Sequence, residues 1–250
     1  MTFSAIVEAD TLSETIGALT PILDECRIHL EPDGIEVQGV DPANVAMTRV
    51  ELDANGFESY DAGGGLIGVD LERLAEVAGM AESGDLIQIE LDEATNKLEI
   101  VVGDSLEFTM ALIDPDSIRQ EPDIPDLDLP AAYVFEGGEL DRAITAADLC
   151  SDHIALEARA DSELVFSAEG DTDDVEVTLA DRDLLSGRLE GDGAESLFSL
   201  DYLKDLRKPI GSETEVSMVC GDEMPAKLRY SLADGDVSVL NMLAPRIQSE

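Results

Sequence analysis

The sequence predicts an α+β fold built twice over, and three observations predict it. Ile113–Pro130, IDPDSIRQEPDIPDLDLP, holds four prolines and six acids in eighteen positions and follows neither the helical nor the strand period, as an extended connector does. The segments on either side, 1–112 and 131–250, run through the same order of elements. Sliding one over the other pairs Leu12 with Leu140, Ile16 with Ile144, Val37 with Val165, Asp70 with Asp201, Lys97 with Lys227 and Leu98 with Leu228, at offsets of 128 to 131. The expected organisation is a domain over 1–112, a connector over 113–130 and a like domain over 131–250, each pairing short two-faced helices with antiparallel strands.

In chain order, a strand over Phe3–Val7 precedes a helix that Thr11 and Glu14, spaced as a capping box, are expected to start. Leu12, Ile16, Leu19 and Leu23 recur at helical spacing, with Ser13, Glu14, Gly17 and Thr20 on the other side, and Pro21 is expected to kink or end the helix. Strands follow at Arg27–Leu30, Gly34–Val40 and Val45–Leu52, separated by the turn signals Pro32-Asp33-Gly34 and Asp41-Pro42. Gly63-Gly64-Gly65 lacks the surroundings of a phosphate loop and reads as a turn. Asp70 opens a second helix, with Leu71, Leu74 and Val77 inward, before strands at Leu86–Leu91, Lys97–Val102 and Leu106–Leu112. The second half repeats the plan. It has a strand at Tyr133–Phe135, a helix around Leu140, Ala143, Ile144 and Ala147, and strands at Ile154–Ala158, Leu164–Ser167 and Val175–Leu179. A helix opened by Asp201 and strands at Glu215–Cys220, Ala226–Leu232 and Val237–Leu243 complete it.

Fifty-seven acids against fifteen cations give a net charge of -42, and only four of the cations are lysines. With 44% apolar residues the chain can still bury a core, and the acids are spread through every loop, which reads as general solubility in a salt-rich cytosol, not as a patch for one basic partner. At molar salt the Debye length falls to about 3 Å and screens the self-repulsion. Removing salt is therefore expected to lower the melting temperature, and equal melting temperatures in dilute buffer and molar KCl would contradict this. MTFSAIVEADTL has no basic leader region, and no run approaches the length of a membrane span, so a soluble cytoplasmic chain is expected. Cys26, Cys150 and Cys220 are far apart and have only His29 and His153 for company, which predicts neither a disulfide framework nor a metal site.

Gln38-Gly39-Val40-Asp41-Pro42-Ala43-Asn44-Val45-Ala46-Met47 resembles a strand and loop near the front of sliding clamps of the proliferating cell nuclear antigen type. Ile67-Gly68-Val69-Asp70-Leu71 resembles the start of their second helix. Met242-Leu243-Ala244-Pro245-Arg246-Ile247 resembles their terminal segment with Arg in place of Lys, and Ile124-Pro125 sits where their connector carries an Ile-Pro pair. The resemblance runs the length of the chain, in order. It implies two clamp domains with helices on one face of antiparallel sheets, closing as a homotrimeric ring around double-stranded DNA without sequence preference. It also implies a processivity factor near the nucleoid that tethers DNA polymerase, clamp loader, flap endonuclease, ligase and similar clients, with no cofactor, metal, membrane or catalytic residue.

Site residues carried over from the family fall into three groups. Ring closure would use the strand edges Leu106–Leu112 and Asp173–Leu179, with Phe108, Met110, Leu112, Val175 and Val177 at the subunit interface. The plain alternative makes Phe108 ordinary core. Arg73, Arg142, Lys204, Arg207 and Lys208 would meet DNA from the helices, although the family's cation-rich lining is thinned here by Glu14, Glu72, Glu76, Asp141 and Asp205. A solvated helix end is the plain alternative for 204–208. A client peptide would bind at Val40, Asn44, Val45, Met47, Ile124, Pro225, Met242, Ala244, Pro245 and Ile247, against the alternative that these residues close the core. Other functions remain to be separated: a checkpoint-type or heterotrimeric clamp subunit, or an acidic hydrolase of a halophile. For the last, no carboxylate pair stands out and the motifs of nucleophilic or nucleotide chemistry are missing.

Overall fold

The computed structural model describes residues 2–103, 105–125, 127–159 and 163–246. The chain divides into two compact units. One is built from Met1–Asp41, Thr48–Asp123 and Ser231–Val239, the other from Pro42–Met47, Ile124–Tyr230 and Leu240–Glu250. The connector is thus divided after Asp123, and each part folds with its own unit.

In the first unit, β1 (Phe3–Glu8), β5 (Ser59–Ala62), β7 (Leu86–Asp92), β8 (Lys97–Val102) and β9 (Leu106–Ala111) form a sheet in the order β5-β1-β7-β8-β9. A second sheet runs β4-β3-β2-β6, from β2 (Glu25–Glu31), β3 (Gly34–Val40), β4 (Ala46–Asp53) and β6 (Gly65–Asp70). Helices α1 (Ala9–Leu19) and α2 (Leu71–Ala78) pack on each other. The second unit repeats this plan. It has β14-β10-β16-β17 and β13-β12-β11-β15 as its sheets and α3 (Gly137–Ala147) against α4 (Leu200–Arg207). Its strands are β10 (Ala131–Glu136), β11 (His153–Arg159), β12 (Leu164–Glu169), β13 (Asp174–Leu179), β14 (Ser186–Leu189), β15 (Gly193–Ser199), β16 (Glu215–Cys220) and β17 (Ala226–Leu232), and β18 (Val237–Leu243) closes the chain. The α+β class read from the sequence therefore holds.

Strict alternation drives the sheets. Phe3, Ala5 and Val7 of β1 are buried while Ser4, Ile6 and Glu8 are not, and Cys26, Ile28 and Leu30 of β2 alternate with Glu25, Arg27, His29 and Glu31. Leu30, Leu52, Leu71, Ile87 and Ile100 are almost wholly buried in the first unit, as are Tyr133, Phe135, Leu140, Ile154, Phe166 and Phe198 in the second. Each such side chain stabilises by roughly 1.5–3 kcal/mol from burial alone. Phe135 and Phe166 add an edge-to-face contact with centroids 6.4 Å apart.

Four strands are absent from the sequence reading: β5, β6, β14 and β15. β6 begins inside the glycine run, because Gly64 at φ +81° makes the turn and Gly65 already lies in the strand. The expected capping box is also not formed. The first helix starts at Ala9, Thr11 lies inside it and takes a hydrogen bond from Thr15 Oγ1 at 2.7 Å, and Glu14 instead accepts the backbone N–H of Ala233 at 2.7 Å. Asp70 does cap α2, accepting from Arg73 N–H at 2.9 Å. Its counterpart is Ser199, the N-cap residue of α4, and not Asp201, which lies inside that helix.

Candidate functional sites

Both sheet edges expected from the sequence exist. Among the described residues, β9 ends the five-stranded sheet with β8 as its partner, and β13 ends the four-stranded sheet with β12 as its partner. On β9, Met110 turns into the core at 4% exposure, while Phe108 is half-buried and lies under Arg73, whose guanidinium carbon is 4.9 Å from the ring centroid. Leu112, just beyond the strand, donates its N–H to Asn96 O at 3.2 Å. On β13, Val175 and Val177 are half-buried and Glu176 faces out. Arg159 holds Glu157 at 2.8 Å and Glu176 at 2.9 Å, which lowers the Glu176 carboxyl pKa and raises that of the guanidinium.

Each helix cation picked from the sequence has an acid beside it. Arg73 meets Glu76 at 2.6 Å and Arg142 meets Glu139 at 2.5 Å, both one turn away on their own helices. Lys204 donates to Asp148 at 2.8 Å, a hydrogen bond that pushes its pKa above the ordinary lysine value. Arg207 Nε donates to Asp141 at 2.6 Å, and Lys208 to Asp205 at 2.7 Å. The cations are exposed or half-exposed and already neutralised, so the helix surfaces offer little free positive charge.

The second unit gathers the peptide-site residues. In the loop Pro42–Met47, Asn44 takes φ +59°, a conformation asparagine tolerates, and Val45 O accepts the Ala244 N–H at 2.8 Å. Arg246 N–H donates to Leu197 O at 2.7 Å, so the tail is held at two points around Pro245. Val45, Ile124, Pro225, Ala244 and Pro245 are half-exposed, Met47 and Met242 are buried at 9% and 8%, and Asn44 is exposed. Val40 is buried at the end of β3 in the first unit. Ile247 lies outside the described residues.

Sequence reasoning missed what holds the connector. In the first unit, Arg27 donates to Pro115 O at 2.8 Å and Ile118 O at 3.0 Å, His29 Nε2 sits 2.9 Å from the Glu121 carboxylate, Gln38 Nε2 donates to Pro122 O, and Arg119 donates to Asp41 O at 2.8 Å. In the second, the buried Lys227 ammonium donates to Pro125 O at 2.8 Å. The available signal was the spacing of Arg27 and His29, two residues apart on the side of β2 opposite Cys26, Ile28 and Leu30. Carbonyls of a proline-rich strap find few backbone donors and take side-chain donors instead.

Burial pushes the Cys26 thiol up to about 12 and Cys220 to about 11, far from a reactive thiolate. Among the described residues no group of three or more His, Cys, Asp and Glu could hold a metal ion, and no helix is long and apolar enough to cross a membrane.

Residues 1–117 match the family model for the proliferating cell nuclear antigen N-terminal domain. The chain is 56% identical to a DNA polymerase sliding clamp of the halophilic archaeon Haloarcula marismortui, over 99% of this chain and 100% of that one. This chain is a member of the DNA polymerase sliding clamp family. It is equally 56% identical to the clamp of Halobacterium salinarum, across 99% of both chains. Among solved structures it superimposes on one described as "C-terminal region of FEN-1 bound to A. fulgidus PCNA" with a TM-score of 0.92 and 34% identity, covering 99% of this chain and 100% of that one. As a sliding clamp it is a processivity factor and not a catalyst. The acidity read from its composition agrees with relatives from salt-loving archaea.

Proposed function

We propose that three copies of this clamp chain close into a ring around duplex DNA, β9 of one copy pairing with β13 of the next. The observation that carries this reading is that β9 and β13, each the end strand of its sheet and one in each unit, carry half-buried apolar side chains. An edge of one kind meeting an edge of the other is a head-to-tail contact, and such contacts close into a ring when the rotation allows. One chain supplies both edges, so a homotrimer needs no second kind of subunit. The domains are 1–112 and 131–250, joined by the connector 113–130.

Arg142, Lys204, Arg207 and Lys208 meet phosphates by exchanging their acidic partners, a weak and salt-damped contact. Topology therefore does the holding, and the ring slides. The segment Pro42–Met47, Ile124, Pro225 and the tail from Met242 onward receive a short helical turn of a client that carries aliphatic and aromatic anchors. The superimposed clamp bound to a FEN-1 C-terminal region supports this, and polymerase, clamp loader and ligase would use the same groove. The ring works in the cytoplasm at the nucleoid.

The deciding experiment loads the protein on nicked circular DNA in molar KCl and then linearises the circle. Retention on the circle, rapid loss from the linear product and longer polymerase products are expected. Equal retention on both DNA forms would defeat encirclement.

A further inference from the structure

We propose that Arg73 is a positioning residue for the β9 edge and not a phosphate contact. This rests on reading β9 as a subunit-pairing edge. α2 and β9 are not independent. Ile113, just past β9, donates its N–H to Gly68 O at 2.9 Å, which ties the end of that strand to β6, and β6 runs directly into α2. The approach is close enough that a Cβ on residue 68 would lie 2.5 Å from Ile113 O, so only glycine fits. Asp70 then fixes the first turn of α2 by accepting the Arg73 N–H.

From that fixed turn the Arg73 guanidinium reaches across to lie over the Phe108 ring at 4.9 Å, while Glu76 takes its Nη1 at 2.6 Å. The cation is thus engaged by the ring and by a carboxylate at once, which leaves it poorly placed for DNA. Phe108 needs such a partner. It is half-buried on an edge strand, where Ile100 of β8 stands opposite it on one side only, and ordering it fully only on assembly would weaken assembly. The guanidinium over the ring orders it beforehand and gives its outer side a polar cover while the edge is bare.

The test compares Arg73→Gln, Arg73→Lys and Glu76→Gln with the unaltered protein by sedimentation equilibrium in molar KCl, with the monomer melting temperature and retention on circular DNA measured alongside. Arg73→Gln is expected to raise the dissociation constant about three- to fivefold per interface, the size of an exposed cation–π contact. Arg73→Lys should restore part of this, Glu76→Gln should change it little, and monomer melting should stay put. Unchanged dissociation with weaker DNA retention would return Arg73 to the phosphates. A fall in monomer melting that accounts for the whole loss of assembly would make it a fold residue; either result overturns the proposal. If the unaltered protein does not assemble, the ring reading itself fails. If it assembles and Arg73→Gln assembles equally well, only this assignment fails.

Discussion

Phe108→Ala is expected to leave the protein monomeric by light scattering in molar KCl at concentrations where the unaltered chain forms the ring. Phe108 is the one aromatic on β9, half-exposed on a strand whose outer edge has no partner. An anchor of this kind at the centre of an interface commonly carries about 2 kcal/mol or more, roughly 30-fold in affinity, and a ring repeats the loss at each of its contacts. The experiment also tests the plain alternative. If Phe108 were core alone, truncation would cost about 3–5 kcal/mol of fold stability and leave the mass of the surviving folded protein unchanged. A trimer with a lowered melting temperature would therefore sink the edge assignment.

Val45→Glu is expected to abolish binding of a peptide that carries an aliphatic and an aromatic anchor one helical turn apart, with the ring intact. The Val45 carbonyl holds the tail through Ala244 N–H, and that bond uses only backbone, so the substitution keeps it. The half-exposed isopropyl group is replaced by a carboxylate that would be buried without a cation under an apolar plug, a change worth several kcal/mol, or at least a hundredfold in Kd. Titration of the labelled peptide with light scattering in parallel decides the matter. Unchanged affinity would mean these residues only close the core, and loss of peptide binding together with loss of the trimer would point to a damaged fold.

Both expectations begin in the sequence, and their legibility differs for a physical reason. The strands carrying Phe108 and Val175 were readable because alternation over six residues with turns at each end has few other solutions. The tail was readable by its resemblance. β5 and β14 were not, since SYDA and SGRL are too short and too polar to bury a face of their own and become strands only by pairing with β1 and β10. Thr11 and Glu14 have the spacing of a capping box, yet Glu14 found a better donor in Ala233, more than two hundred residues away.

The helix cations show the same division. Their positions on α2, α3 and α4 followed from helical spacing, as did the one-turn partners Glu76, Glu139 and Asp205, but the partners of Lys204 and Arg207 did not. Asp148 for Lys204 and Asp141 for Arg207 lie on α3 or at its end, brought near only when α3 packs against α4. A charge that counts as available in the sequence is spent on a neighbour in the fold.

What the sequence by itself determined was the duplication, the connector, the class of fold and the family, because these rest on periodicity and order along the chain. The tertiary structure alone decided which strands end the sheets, which acids neutralise Lys204 and Arg207, and that Arg27, His29, Gln38 and Lys227 hold the proline-rich strap. Those outcomes depend on contacts between residues remote in sequence, and side-chain donors choose the acceptor that folding places within about 3 Å, whatever their spacing along the chain.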